Sequence, residues 1–379
     1  MNIRHILYFV FLFCAISCKR PDATVISYCN PIPINLGDPY ILMASDGKYY
    51  LYGTSGENGF RAYSSDNLSD WKEEGIVYQG RSSTSWATDC FWAPEVYERD
   101  GKYYLTFEMG QSSLMKDIVI KANSKELKYT KKNVGNDNPL GPFKEMNDGP
   151  LFDPGYPVID ANVLFDDESG KVYLYYSRCC YKHPVESEIA DYAKKNGWFD
   201  EIEESWIYGV EVAPDFSKVI GEPVLLLQPP FSMDDLQAEW ESRSVLNKEV
   251  NRRWTEGSFI FKEGETYYMM YSANYFVGND YAVGYATATH PLGPFRKSAD
   301  NPVLQKNVEN GGEVTGTGHN MVLSLPDGQK LCVYHGRTRK TGRKRVVFID
   351  RMEIKADETL VVYGPTIGTQ AIEVVKTLF

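Results

Sequence analysis

Five residues with side chains that could do chemistry stand at matching positions along this chain. Asp38, Trp92, Asp160, Glu256 and His319 each lie eight to ten residues upstream of a glycine. Three of the five are carboxylates, and paired carboxyl groups in a concave pocket with aromatic walls are what cleavage of a glycosidic bond requires. Taken singly, each residue is explained equally well as a turn or strand-end residue. Their shared register makes coincidence the weaker explanation and favours a common site.

The glycine of each copy lies between an apolar strand and a tyrosine-rich strand. Segments such as 38–54 and 92–108 show the period-two alternation and the Asp-Gly turn that predict a β-hairpin. A further strand pair follows each hairpin, and the segment PLGPF occurs at both 139–143 and 291–295. Recurrence of such units predicts an all-β fold, a five-bladed β-propeller with short helical or irregular inserts. The first strand of a propeller blade lines the central channel, so the five residues should ring one mouth of it.

Composition and charge narrow the class of ligand. The 379 residues carry a net charge of −11, which argues against nucleic acid and favours a neutral ligand. No low-complexity linker divides the chain, and we expect one catalytic domain over residues 33–379. Polar inserts are predicted at about 111–137, 181–206 and 233–250, where loops or short helices would cover the site.

The N-terminus has the features of an export signal. A short basic start leads into an apolar run that ends before Cys18, and this run is too short to span a bilayer comfortably. The sequence from Ala15 to Cys18 resembles a bacterial lipobox, although Ala15 replaces the usual Leu. We expect a lipoprotein-type signal peptide at 1–17, a tether at 18–32 with a lipid anchor on Cys18, and a location in the bacterial cell envelope, periplasmic or outer-membrane. A plain secretory signal is the alternative.

The five segments together resemble glycoside hydrolase family 43. The resemblance rests on sequence around the five residues and runs in order through the whole predicted propeller: Gly-Asp-Pro at 37–39, Phe-Trp-Ala-Pro-Glu at 91–95, Ile-Asp-Ala-Asn at 159–162, Thr-Glu-Gly-Ser at 255–258 and Gly-His-Asn at 318–320. It implies a five-bladed propeller that hydrolyses glycosidic bonds with inversion, mostly on arabinose- and xylose-containing polysaccharides.

The same resemblance implies roles for the three carboxylates. Asp38 would be the general base, Glu256 the general acid, and Asp160 the carboxylate that tunes the pKa of the acid and orients it. Inversion needs a water molecule between the base and the anomeric carbon, so the two carboxyl groups should stand about 6.5–9.5 Å apart. A like charge near Glu256 would resist loss of its proton and keep it an acid near neutral pH.

Further residues are expected around this trio. Trp92 is a candidate stacking wall for the sugar, and Glu95 on the same strand is expected to be structural. Arg337 would contact sugar hydroxyls or Asp38, with a salt bridge in an acidic pocket as the alternative. His319 resembles the family's axial histidine, which lies beside waters and often a calcium ion. Calcium prefers oxygen ligands, so a water-linked structural role is favoured and no cofactor is required.

The cysteines do not indicate a metal site. Those outside the expected signal have no CxxC spacing, so zinc ligation is not predicted and mostly free, buried thiols are expected.

Three alternatives stay open at this point. The enzyme could be an exo-acting arabinofuranosidase or β-xylosidase, or an endo-arabinanase with an open cleft. It could be a related fructan-acting hydrolase that retains configuration. It could also be a glycan-binding propeller without catalysis, for which the intact set of carboxylates gives no reason.

Overall fold

The computed structural model describes residues 23–80, 89–111, 114–121, 138–145, 151–180 and 186–375. Strands dominate this part of the chain, which confirms the all-β class. The expected signal peptide and Cys18 lie outside the described residues. Within them, no helix has the length and apolar character needed to cross a bilayer.

The described strands form three four-stranded sheets, one terminal pair and one eight-stranded sheet, which divides into two four-stranded antiparallel units joined by a parallel ladder. The terminal pair starts with β1 (Ala23–Asn30). The first unit contains β2 (Gly37–Met43), β3 (Tyr49–Thr54), β4 (Gly59–Ser65) and β5 (Lys72–Gln79). The second contains β6 (Asp89–Arg99), β7 (Lys102–Gln111), β8 (Leu114–Lys121) and β9 (Lys144–Glu145). The third contains β10 (Val158–Asp166), β11 (Lys171–Cys180), β12 (Glu203–Val212) and β13 (Val219–Leu227).

The remaining strands complete the chain. The fourth unit contains β14 (Arg252–Glu263), β15 (Thr266–Ala273), β16 (Ala282–Ala288) and β17 (Arg296–Lys297). The fifth contains β18 (Thr315–Ser324), β19 (Lys330–Arg337), β20 (Val346–Ile354) and β21 (Leu360–Val362). The last strand, β22 (Gly368–Val375), pairs with β1 over its whole length.

The glycines that mark the sequence repeat occupy the predicted hairpin turns. Each links the first and second strands of a unit, and each adopts a positive φ angle, which glycine tolerates at no steric cost. They are Gly47 (83°), Gly101 (67°), Gly170 (67°), Gly264 (57°) and Gly328 (86°).

The first strands of the five units contact one another in a cyclic order. Strand β2 contacts β6, β6 contacts β10, β10 contacts β14, β14 contacts β18, and β18 contacts β2. Buried tyrosines and aliphatic side chains fill the spaces between neighbouring units, as Tyr52, Val96 and Val333 do in the largest cluster. Each such side chain contributes on the order of 2 kcal/mol of hydrophobic stabilisation, and together they fix the units relative to one another.

The third and fourth units are joined by strand pairing as well as by side-chain packing. A short parallel ladder links β12 to β14 at Glu203–Ser205 and Arg252–Trp254, so that both units belong to one sheet. Beside it, Arg253 forms a fully buried ion pair with Glu204 at 3.0 Å. A buried pair of this kind is costly to break, because the remaining charge is left without a partner.

Two of the expected inserts contain helices that pack together. The second insert includes α1 (Glu188–Lys195), and the third includes two single-turn helices, α2 (Ala238–Glu241) and α3 (Arg243–Leu246). Ile189, Ala193 and Val245 form a small apolar cluster between them. Most of the first expected insert lies outside the described residues, but its 114–121 segment is strand β8 rather than a loop.

The structure changes two expectations from the sequence, one about the N-terminal tether and one about the cysteines. Residues 23–30 were expected to be part of a tether, but they form β1 and complete a sheet with β22, because their alternating pattern finds a partner strand. Cys179 and Cys332 are buried free thiols, as expected, whereas Cys29 is a free thiol on the surface.

Candidate active site

All five residues of the shared register line one cavity of about 370 Å³. The cavity lies where the first strands of the units meet, and its volume falls within the usual range for small-molecule sites. A larger depression of about 730 Å³ lies beside residues 225–237, but it contains none of the five. The remaining lining residues of the smaller cavity are Glu108, Ile159, Arg252, Trp254, Tyr275, Phe276 and Arg345.

A β-bulge interrupts each first strand close to its functional residue. The ladder between the first and second strands of every unit shifts register there. A residue in the left-handed region lies in each bulge: Asp38 (φ 50°), Ala93 (42°), Asp160 (60°), Gly257 (58°) and His319 (48°). Non-glycine residues adopt this conformation at a cost of about 1–3 kcal/mol. A bulge changes the direction in which a side chain points, and a bulge lies close to each of the five residues that line the cavity.

Asp38 is a buried carboxylate with a guanidinium beside it. Arg345 Nη1 donates to Asp38 Oδ1 at 2.8 Å, and the Nδ1 atoms of His319 and His335 each lie 3.4 Å from the same oxygen. Burial raises the pKa of Asp38, but the charge of Arg345 is the largest of the opposing influences, and the pKa lies well below its ordinary value. Asp38 is therefore ionised at neutral pH, as a general base must be.

The two imidazoles near Asp38 are neutral, so Arg345 is the cation that balances it. Burial lowers the pKa of His335 to about 3 and lowers that of His319 in spite of the nearby carboxylate. Arg345 reaches Asp38 because residue 37 is glycine. A Cβ at Gly37 would lie 1.9 Å from Cζ of Arg345.

Glu256 has the opposite electrostatic environment. Its Oε1 accepts a hydrogen bond from the Tyr281 hydroxyl at 2.7 Å, and its Oε2 accepts one from the Trp254 indole N–H at 2.6 Å. Burial raises the pKa of Glu256, and the charge of Asp38 raises it further. The two hydrogen bonds and Arg345 lower it, and the balance is a pKa of about 7. A carboxyl group of this kind still carries its proton for a large fraction of the time near neutral pH.

Asp160 contacts the strand of Glu256 through the backbone. Its Oδ2 accepts the N–H of Gly257 at 2.8 Å, and its own N–H donates to Oε2 of Glu108 at 3.0 Å. Asp160 thus holds the bulge that follows Glu256. Burial has the largest effect on the pKa of Glu256 and the charge of Asp38 raises it further, while the expected influence of Asp160 on this pKa stays a prediction.

Of the other residues expected in the site, two belong to the cavity wall and a third is buried behind it. Trp92 and His319 line the cavity. Glu95 is buried away from it and accepts a hydrogen bond from Asn162 at 3.0 Å; burial raises the pKa of Glu95 to about 8. Its interior position agrees with the structural role expected for it.

Arg337 does not contact Asp38 as one expectation had it. Its guanidinium donates to the backbone carbonyls of Phe276 and Gly278, and it does not line the cavity. These bonds hold the loop that carries Phe276 into the cavity wall. Arg345 makes the expected contact with Asp38 instead, because it lies nearer to the bulge of the first unit.

Sequence reasoning missed several residues of the site, and most of them carried no signal. Trp254 was detectable, since a residue two positions before Glu256 on a strand shares its face. Glu108 and Arg345 line the cavity, and the buried Tyr281 bonds to Glu256, from positions that no repeat marks.

The surroundings of His319 bear on the calcium ion expected beside it. Nδ1 of His319 lies 3.4 Å from Asp38 and 3.8 Å from Asp160, but Asp38 Oδ1 already accepts from Arg345. No group of three or more His, Cys, Asp or Glu side chains suited to a metal occurs in this part of the chain.

Comparison with known proteins gives a consistent result. The family model described as Glycosyl hydrolases family 43 matches residues 28–360. The Beta-D-galactofuranosidase xynD of Aspergillus niger is 27% identical over 81% of this chain and 76% of that protein. A Xylosidase/arabinosidase of Thermoclostridium stercorarium is 23% identical over 85% of this chain and 63% of that protein.

A solved structure supports the same similarity. It is described as a thermostable family-43 glycoside hydrolase and is 36% identical in sequence. The match covers 90% of this chain and 97% of that one, with a TM-score of 0.73.

Proposed function

The chain belongs to glycosyl hydrolase family 43 and is a glycoside hydrolase, and from that premise we propose that it releases arabinofuranosyl or xylosyl units from plant cell-wall polysaccharides or their oligosaccharides, with inversion. One observation carries the proposal. Two carboxyl groups in the same cavity have pKa values moved in opposite directions, Asp38 downward and Glu256 upward to about 7. Such a separation assigns the base and the acid of a reaction at neutral pH.

The proposal includes a five-bladed β-propeller as the scaffold. Five four-stranded units and the cyclic order of contacts among their first strands support this arrangement. Its catalytic domain would begin with β1, earlier than the sequence suggested, and the five bulges would lie around the mouth of the central channel.

The reaction follows from the protonation states. Glu256 gives its proton to the glycosidic oxygen as the bond to the anomeric carbon breaks. Asp38 takes a proton from a water molecule whose oxygen forms the new bond to that carbon on the opposite face. Asp160 keeps the Glu256 strand in position through Gly257. Afterwards Asp38 is protonated and Glu256 is ionised, and exchange with solvent restores both.

The cavity favours a neutral sugar. Four carboxylates line it, namely Asp38, Glu108, Asp160 and Glu256, against two guanidinium groups. Trp92 would stack on the sugar ring. The names of the relatives, a xylosidase/arabinosidase and a β-D-galactofuranosidase, support a pentose or a furanose as the released unit. Endo-arabinanase action is the alternative within the family.

A substrate panel tests the proposed activity. The protein is incubated with aryl arabinofuranosides, xylosides and galactofuranosides, and with arabinan, arabinoxylan and xylan, and the anomeric form of the first product is followed by NMR. Release of an inverted pentose is expected. Net retention would exclude the mechanism, and tight oligosaccharide binding without turnover would indicate a glycan-binding protein instead.

Two variants test the proposed roles. D38N and E256Q should each lose at least about a hundredfold in kcat on a substrate with a poor leaving group, as general acid–base catalysis contributes this much or more. D300N, at an exposed aspartate, is the matched control and should match the wild type. Wild-type turnover by D38N or E256Q would remove that residue's assignment.

We further propose that the protein is exported and anchored to the bacterial cell envelope through Cys18, after cleavage of residues 1–17. The lipobox-like sequence before Cys18 supports this proposal. Labelling with a radioactive fatty acid should mark the wild type and not C18A. Equal labelling of both, or of neither, would exclude the anchor.

A further inference from the structure

Trp254 donates one of the two side-chain hydrogen bonds that Glu256 accepts. Its indole N–H lies 2.6 Å from Oε2 of Glu256, and its side chain is buried in the cavity wall. An indole N–H can only donate a hydrogen bond, whereas the Tyr281 hydroxyl at the other oxygen can donate or accept. The two oxygens of Glu256 therefore have different partners, and the difference decides where a proton can sit.

The indole is held firmly on several sides. Trp254 pairs with Ser205 in the parallel ladder between β12 and β14, and it packs against Ile159 and Cys179. The guanidinium of Arg252 lies 5.4 Å from its ring centre. Because these contacts fix the ring, the direction of its N–H is set before any substrate binds.

We propose that Trp254 is a positioning residue for the acid: its N–H keeps Oε2 of Glu256 as the carbonyl-type oxygen, so that Oε1, beside Tyr281, carries the proton and delivers it. A carbonyl oxygen accepts a hydrogen bond better than the hydroxyl oxygen of a carboxylic acid, so the protonated form favours this arrangement. After transfer, the ionised Oε1 accepts from Tyr281 at 2.7 Å, which stabilises the spent acid. The inference rests on the proposed role of Glu256.

Removing the indole N–H should therefore have two effects. The carboxylate form loses a donor, so the pKa of Glu256 rises and the basic limb of the pH profile moves up by roughly one unit. The proton of Glu256 is also less precisely directed at the glycosidic oxygen. This lowers activity most for leaving groups that must be protonated in order to depart. The loss in kcat/KM should be about tenfold larger for the poorest leaving group than for the best.

Other charged groups near Glu256 do not mimic both effects. Those with a resolved influence on its pKa are Asp38, Tyr281 and Arg345, and those that share the cavity are Glu108, Asp160, Arg252 and His319. Of these, Arg252 touches Trp254, and it stays paired with Glu203 at 3.1 Å. If Arg252 moved toward Glu256 in a variant, its charge would lower the pKa, which is the opposite direction.

The experiment compares W254F with W92F on a series of aryl glycosides of the sugar that the enzyme releases. The pKa of the phenol leaving group is varied, and the pH profile is measured for each variant. W254F should show a steeper dependence on leaving-group pKa and a raised basic limb. W92F removes a second tryptophan that lines the cavity, and among the described residues no hydrogen bond joins its side chain to Glu256, so it should lower kcat/KM evenly across the series.

The outcomes separate this inference from the proposed function. If E256Q is inactive on poor leaving groups while W254F keeps the wild-type slope and basic limb, the inference about Trp254 is wrong and the proposed acid stands. If E256Q keeps wild-type activity, the acid assignment itself fails.

A measurement on the wild type covers the case in which W254F does not fold. In 15N-labelled protein, one indole N–H resonance should shift with the pKa of the basic limb. A set of indole resonances that stays constant across that pH range would overturn the proposal.

Discussion

The substitution E256Q should stabilise the protein at alkaline pH and have little effect at acid pH. The folded structure raises the pKa of Glu256 from 4.5 to about 7, with burial as the main cause. In the unfolded chain the group ionises near pH 4.5, so ionisation costs the folded state free energy as the pH rises through that range. The amide has no charge to bury, and it retains an oxygen that can accept from Trp254.

The size of the effect follows from the pKa difference. A shift from 4.5 to about 7 corresponds to about 3 kcal/mol of lost stability once the pH exceeds 7, as each unit is worth about 1.4 kcal/mol. Below pH 4.5 both states are protonated and the contribution is absent. E256Q should therefore equal the wild type near pH 4.5 and exceed it by about 3 kcal/mol at pH 8, or several degrees in Tm.

Thermal and urea unfolding of both proteins from pH 4.5 to pH 8 would measure this difference. Other titrating groups are common to both proteins and cancel in it. E222Q, at an exposed glutamate, is the control and should show no pH-dependent gain. A wild-type to E256Q difference that stays constant with pH would refute the electrostatic account of Glu256.

Three further predictions follow from neighbouring contacts. R345Q removes the cation beside Asp38, so the pKa of Asp38 should rise and the acidic limb of the kcat/KM profile should move up by about 1–2 units; an unmoved limb would contradict the pairing. G37A should act in the same direction, because its Cβ displaces the Arg345 guanidinium, and kinetics over pH would detect it. Relative to the wild type, E95Q should gain stability as the pH rises from 4.5 to 8, because burial raises the pKa of Glu95 to about 8 and its ionisation costs the folded state free energy. Equal unfolding midpoints of the two proteins at pH 8 would contradict this prediction.

Much of the fold and the core of the site could be predicted from local sequence. The turn glycines are recognisable in the sequence because few other residues tolerate a positive φ angle at these positions. Gly47 and Gly264 lie in hairpin turns, as the sequence predicts. Counting back from them identified Asp38, Asp160 and Glu256, which line one cavity. A repeated unit converts local spacing into spatial proximity, and this is why positions far apart in the chain could be placed together.

The parts that sequence could not provide depend on contacts without a repeat. Arg345 lies 307 residues from Asp38 and follows no pattern. Asp adopts the left-handed conformation more readily than most residues, but nothing in the local sequence marks Asp38 and Asp160 as the aspartates that do so. The expected contact of Arg337 with Asp38 is wrong for the same reason, because Arg345 makes this contact from a position that no repeat marks.

The pairing of β1 with β22 has a consequence for how the chain can be cut and rejoined. The eight-residue register from Ala23 to Val375 brings the two ends of the folded part side by side. A short linker between them would turn the protein into a continuous loop, and it could then be opened at a hairpin turn such as the one at Gly170, where a side chain would meet open space. Circular permutants of this kind should fold, and fusion partners joined directly before Ala23 and after Val375 would sit as neighbours.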